Sequence, residues 1–247
     1  MFPPLVLDGC IINRIKTNSA EPAVRMLGFY LDPSLSFAYH LDKLQKKLNS
    51  NLYFLNKVRN ILPEKSKLLL YHALIHSHLH FSSFILSMVN KQAKKPFINL
   101  QKNALRFISN SRFPIHTSDL FEKYRILPLT CLIDYNIIKF MWEIFNKKAP
   151  KTFENEKWTR IDQEIYALRR NNDFQPPISK YARLDKFTLF SFPKKWDDLP
   201  LYIKSEQHIR IFLANLRIHL KHKYNQDNKC QINSCQKCKN FGGLTDG

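Results

Sequence analysis

Leu41, Leu44, Leu48, Leu52, Leu55, Val58 and Leu62 recur three or four residues apart, and no other feature narrows the fold so far. At helical periodicity this spacing puts them on one face, which a stable helix must bury. Lys43, Lys46, Lys47, Lys57 and Arg59 fall away from that seam. Pro63 ends the helix and suits the first turn of the next, with Glu64 near its positive end. The second helix runs through KLLLYHALIHSHLHFSSFIL, residues 67–86, and its nearly all-round apolar character predicts a central position. A basic break, NKQAKKPF, precedes a third helix over 98–109. Turn residues bracket a short helix within 110–129, and residues 130–148 form another strongly apolar helix.

The period is different at the N-terminus. LVLDGCIINRIK, residues 5–16, places two apolar runs around Asp8-Gly9, a strong hairpin signal. VRMLGFYLD, residues 24–32, reads as a further short strand turning on Gly28 and delivering the chain into the first helix. The fold class is therefore mainly α, with a small N-terminal antiparallel hairpin or sheet ahead of a helical bundle. Residues 1–36 are assigned to strands and 37–148 to the helical region. Residues 149–180, with Pro176-Pro177, are a loop or linker. Order returns over 181–223, in FTLFSFPKKWDDLPLYIK and a basic helix IRIFLANLRIHLKHK, and 224–247 is a polar, flexible tail.

Composition matters chiefly through charge. Thirty-nine Lys and Arg against twenty Asp and Glu give a formal net charge of +19. Such a field favours a polyanionic partner, nucleic acid or an acidic surface, although solvated helix faces are the ordinary fate of surface charge. Five cysteines, an odd number, suit a reducing compartment, and the N-terminus has no basic stretch of the kind that opens a signal peptide. The uncharged run from Leu68 to Val89 carries four histidines and four serines, which makes membrane insertion costly, so a buried helix is expected. An intracellular location, cytoplasmic or nuclear, follows as the expectation.

Three clusters invite chemistry. His72 and His76 stand four apart, the spacing of a helical zinc site, but no carboxylate in that helix completes a ligand set. Partly buried, hydrogen-bonded histidines explain them better. Asp197 and Asp198 are adjacent, as in a metal-dependent polymerase, yet KKWDDLP offers a turn and Pro200 spoils a following central strand. They read as helix-start or loop acids beside the anchors Trp196 and Leu199. Cys230, Cys235 and Cys238 have C-x4-C-x2-C spacing, and His222 or His219 could complete a zinc site. Three free thiols in the tail are the alternative. Cys10 and Cys131 are isolated and expected to be buried.

These segments come in a familiar order. VLDGCIINRI, VRMLGFYLDPSLSFAYHL, LPEKSKLLLYHALIHSHLHF, LQKNALRFISNSRFPIHTSDLF and WDDLPLYIKSEQHIRIFLANLRIHL fall in order within residues 5 to about 222. In that order the chain resembles the C-terminal part of reverse transcriptases from non-LTR (LINE-type, Jockey-like) retrotransposons. The resemblance implies a helical thumb-like region after the end of the palm. It puts Met26, Leu27 and Gly28 at the primer grip and gives Lys43, Lys46, Lys47, Lys57 and Arg59 phosphate contacts. It implies RNA, RNA–DNA or DNA duplex as partners, and a palm-containing polypeptide. No cofactor is implied apart from the zinc that the tail could hold. Ser82 stands where the family usually has Gly or Cys, and no [FY]-x-D-D hairpin occurs, so no catalytic residue is assigned and no polymerase activity is expected from the chain alone. An inert or co-opted helical interaction module that binds an acidic protein is the other reading.

Overall fold

The computed structural model describes residues 5–7, 10–12, 23–111, 117–150, 159–160, 174–175 and 188–227, with side chains over 23–111, 117–150 and 191–224. The described residues are mainly helical, with short antiparallel strands at the N-terminal end. The chain divides into two compact units, 1–50 and 51–247.

In the first unit β1 (Leu5–Leu7) pairs with β2 (Cys10–Ile12), Leu7 opposite Cys10, across the two-residue Asp8-Gly9 connection. Residues 24–32 differ from the expected single strand. They form a second hairpin, β3 (Val24–Met26) against β4 (Phe29–Leu31), with Met26 opposite Phe29. Leu27 and Gly28 have φ of 48° and 89°, the left-handed values a two-residue turn with the right twist requires. The two hairpins are separate sheets.

Asp32 organises the exit from this hairpin. Its carboxylate accepts from the Ser36 amide at 2.7 Å and from the Ser36 hydroxyl, while its carbonyl accepts from the Leu35 amide. Ser36 Oγ in turn accepts from the amide of Ala38, the first residue of α1 (Ala38–Lys57). Tyr30 meets Tyr39 edge-on at 5.4 Å, and Phe29 meets His40 the same way, so β4 lies on the first turn of the helix.

The second unit is built around one helix, and it is not the one that composition singles out. α7 (Leu129–Phe145) buries Leu132, Ile133, Ile137, Ile138, Met141 and Trp142. It packs against α4 (Ser83–Met88), α5 (Lys91–Ile108), α8 (Thr188–Asp197) and α10 (Ile209–Asp227). Trp142 stacks on Phe212 with centroids 5.5 Å apart and donates its Nε1–H to the Glu206 carbonyl. Trp196 and Phe145 extend the aromatic cluster at 5.2 Å. Buried Gln101 ties three elements together. Its amide nitrogen donates to the Tyr71 hydroxyl and the Leu127 carbonyl, and its oxygen accepts from the Leu129 amide. A buried polar side chain so fully paired is stabilising rather than costly.

Residues 67–86 are neither one regular helix nor buried all round. α2 (Glu64–Tyr71) passes into a π-helical segment, His72–His76, then α3 (Ser77–Phe81), and the chain breaks at buried Ser82 before α4. The π turn disrupts the regular ladder, and Asn51 Nδ2 donates to the Leu74 carbonyl at 2.6 Å. Leu69, His72, Ser77, His80 and Phe81 face solvent. α5 begins well before residue 98, because Asn90 accepts from the Ala93 amide and turns the supposed basic break into helix. α6 (Ser118–Lys123) and α9 (Leu201–Lys204) are short, and β5 (Thr159–Arg160) pairs with β6 (Phe174–Gln175). Among the described residues no helix is long and apolar enough to cross a membrane.

With only five glycines in the chain, helices close on other residues. Asn110, Arg125 and Lys147 take φ of 51°, 52° and 54° just after α5, α6 and α7. In each case the next amide reaches back to the helix: Ser111 to Arg106, Ile126 to Phe121, Lys148 to Glu143. This is the helix-ending pattern that usually employs Gly.

Candidate nucleic-acid interface

α1 has two unlike faces. Leu41, Leu44, Leu48 and Leu55 are buried, whereas Lys43, Lys46, Lys47 and Lys57 are exposed. On helical geometry the four lysines fall within an arc of about 100°, opposite the leucines. Asp42 is the sole carboxylate on the helix and pairs with Lys46 at 2.7 Å, both ends in solvent. An exposed pair of this kind contributes only about 0–1 kcal/mol and leaves the face strongly positive.

Arg59 stands apart from the lysines. It lies beyond the end of α1, half-buried, with its guanidinium 5.5 Å from the Phe107 ring centroid and its Nε shielded from solvent. Its carbonyl accepts from Lys67 Nζ at 2.9 Å. Lys67 is 2% exposed and also donates to Asn110 Oδ1 at 3.0 Å. Burial holds the pKa of this lysine below its ordinary value. Lys67 thus joins the segment after α1 to the end of α5, and Arg59 packs beside that joint.

Met26, Leu27 and Gly28 form the tip of the β3–β4 hairpin. Met26 is 55% exposed and Leu27 85%. An exposed leucine in left-handed backbone costs about 1 kcal/mol with no burial to offset it. The tip therefore presents an apolar, glycine-thinned edge to solvent.

Tyr53 and Phe54 were not among the residues that charge patterning selects, yet they share the lysine face. Tyr53 is 62% exposed and Phe54 48%, and Lys57 Nζ lies 5.2 Å from the Tyr53 centroid. Tyr39 and Lys43 repeat the pairing at 5.3 Å. The signal was legible: an aromatic four residues before a lysine, off the leucine seam.

Comparison with known protein families, curated proteins and solved structures finds no match.

The histidines form a ladder rather than a ligand set. His72 meets His76 edge-on at 5.2 Å, and His76 lies 6.2 Å from His80. The expectation of hydrogen-bonded rings fails for His76, whose Nδ1 is buried without a partner. Burial first, then the nearby His72, His80 and Arg217, hold its pKa down to about 4. Among the described residues no group of three or more His, Cys, Asp or Glu side chains could hold a metal ion. Cys230, Cys235 and Cys238 lie outside the described residues, and His222 is exposed on α10. Cys131 is buried and donates to the Leu220 carbonyl, whereas the side chain of Cys10 lies outside the described residues.

Asp197 is the last residue of α8 and Asp198 follows it, so the pair closes a helix instead of starting one. Lys204 Nζ donates to the Asp197 carbonyl at 3.2 Å and lies 3.9 Å from its carboxylate. Trp196 and Leu199 are buried on either side.

Proposed function

We propose that this chain is thumb and post-polymerase sequence of a non-LTR retrotransposon reverse transcriptase, binding RNA or an RNA–DNA duplex without reading its bases. The observation that carries the reading is the exposed lysine face of α1, four ammonium groups on the side opposite the buried leucines. Flexible lysines neutralise phosphates as point charges and tolerate any sequence. The solvent-facing tip of the β3–β4 hairpin supports a primer-grip role for Met26, Leu27 and Gly28. Without a paired-aspartate hairpin in the sequence, the chain has no polymerase activity alone and works beside a palm-containing polypeptide. Binding of an RNA–DNA duplex across a salt series tests this. Affinity should fall steeply as salt rises, because each neutralised phosphate releases counterions. Affinity independent of salt would contradict it.

One observation favours a second reading, a module for an acidic protein. Ile211 and Ile218 are exposed on α10 with Arg210 and Arg217 beside them. Preference for an acidic polypeptide over duplex in direct competition would support that reading.

A further inference from the structure

A surface that meets only phosphates has no use for exposed aromatic rings, and the C-terminal turns of α1 carry two. Tyr53 and Lys57 project from the side opposite Leu55, which is 1% exposed, and Phe54 from the flank beside it. Their solvent exposure means that these rings do not serve the core. Lys57 lies over the Tyr53 ring, which holds the ammonium beside an aromatic face instead of leaving it to range freely. Tyr39 and Lys43 are arranged alike, although Tyr39 is partly covered by Tyr30.

A closed duplex keeps its bases stacked on one another and offers phosphates alone along its length. Unpaired nucleotides offer both a phosphate and a free base face. Alternating cations and aromatic rings are the chemistry that single strands require, because every base can stack. Charge complementarity also argues against a second copy of this chain as occupant, since each copy carries +19.

We infer that the C-terminal turns of α1 bind unpaired nucleotides, a base stacking on Tyr53 or Phe54 while the adjoining phosphate meets Lys57. The ligand is single-stranded RNA or DNA, such as a template overhang. This rests on the nucleic-acid reading above and names the part of the ligand that the face selects.

The test uses the full chain and two labelled probes of equal length, a mixed-sequence single-stranded RNA and a blunt RNA–DNA duplex. Anisotropy titrations across a salt series should show tighter binding of the single strand. Changing Tyr53→Ala with Phe54→Ala should weaken single-strand binding roughly 5- to 150-fold for each stack lost. Duplex affinity and both salt slopes should stay as they were, since no cation is removed. Tyr53→Phe should retain binding, and circular dichroism checks that each variant folds. Equal affinity for the two probes, or single-strand affinity unmoved by the double substitution, overturns the inference and leaves the phosphate-binding reading intact. Tyr53→Leu with Phe54→Leu binding as well as the unaltered chain also overturns it, by reducing stacking to apolar contact. Salt-independent or absent binding to both probes overturns this inference and the reading beneath it together.

Discussion

α1 and α7 are comparable in length, 20 and 17 residues, and opposite in how they use their surfaces. α7 buries side chains on most of its circumference, and its charges are settled close by. Asp134 pairs with Lys195, and Lys139 with Glu143. α1 buries one leucine seam and presents four lysines with a single acid among them. A helix whose charges are matched locally holds a fold together, whereas one with unmatched charge on an open face is free to meet a partner. On the proposed reading stability belongs to α7 and recognition to α1, and substitutions should separate the two.

The largest effect is expected at the hub. Trp142→Ala removes the stack on Phe212, the bond to the Glu206 carbonyl and the Lys148 contact at 4.5 Å. It should cost about 3–5 kcal/mol, read as a lower urea midpoint. A loss below about 1 kcal/mol would deny α7 its central role.

A smaller effect comes from the histidine ladder. The pKa of His76 is about 4 in the folded chain, against an ordinary value of 6.5. Between those values the unfolded chain takes up a proton that the folded chain refuses. Stability should therefore fall as pH drops from 6.5 towards 4 and level off below. With the ring still partly reached by water, the loss is on the order of 2 kcal/mol. Burial lowers the pKa of His40, His72 and His219 too, so they act in the same direction. His76→Phe should flatten the pH dependence of the urea midpoint, and an unchanged curve would remove His76 from the explanation.

The smallest effect is a gain. Lys147→Gly relieves a left-handed residue at the end of α7 and should stabilise by roughly 0.5–1 kcal/mol, raising the melting temperature slightly. Asn110→Gly should instead destabilise, although it relieves the same backbone, because Asn110 Oδ1 accepts from buried Lys67. Equal gains at both positions would show that the Lys67 joint contributes nothing.

Much of this division was legible in the sequence. The leucine spacing from Leu41 to Leu55 specified α1 and its exposed lysines, because a helical period fixes which side chains share a face. The helix nonetheless ends at Lys57 and leaves Val58 and Leu62 in turns before Pro63. Asp8-Gly9 specified the first hairpin. The second hairpin was hidden, since Leu27 is a poor residue for a left-handed turn and only Gly28 marked it. Residues 67–86 misled by composition. Interleaved histidines and serines, with Leu69 71% exposed, make that stretch half-buried, and the π segment receives a donor from Asn51, 23 residues earlier. The early start of α5 was masked by Pro96 and three lysines, whereas the Asn90 cap three residues before Ala93 was the signal to weigh. Arg59 passed for a surface cation because sequence does not reveal its stack on Phe107.

The central claim is that α1 recognises phosphates through its lysines, and one comparison of salt slopes tests it most directly. Lys43, Lys46, Lys47 and Lys57 are changed together to Gln, and the RNA–DNA duplex affinity of both chains is followed against salt. All four side chains are exposed, so the melting temperature should stay close to that of the unaltered chain. The account predicts a slope of log affinity against log salt that is shallower by about 3–4. An equally steep slope in the variant would contradict it, and would move the phosphate contacts off α1.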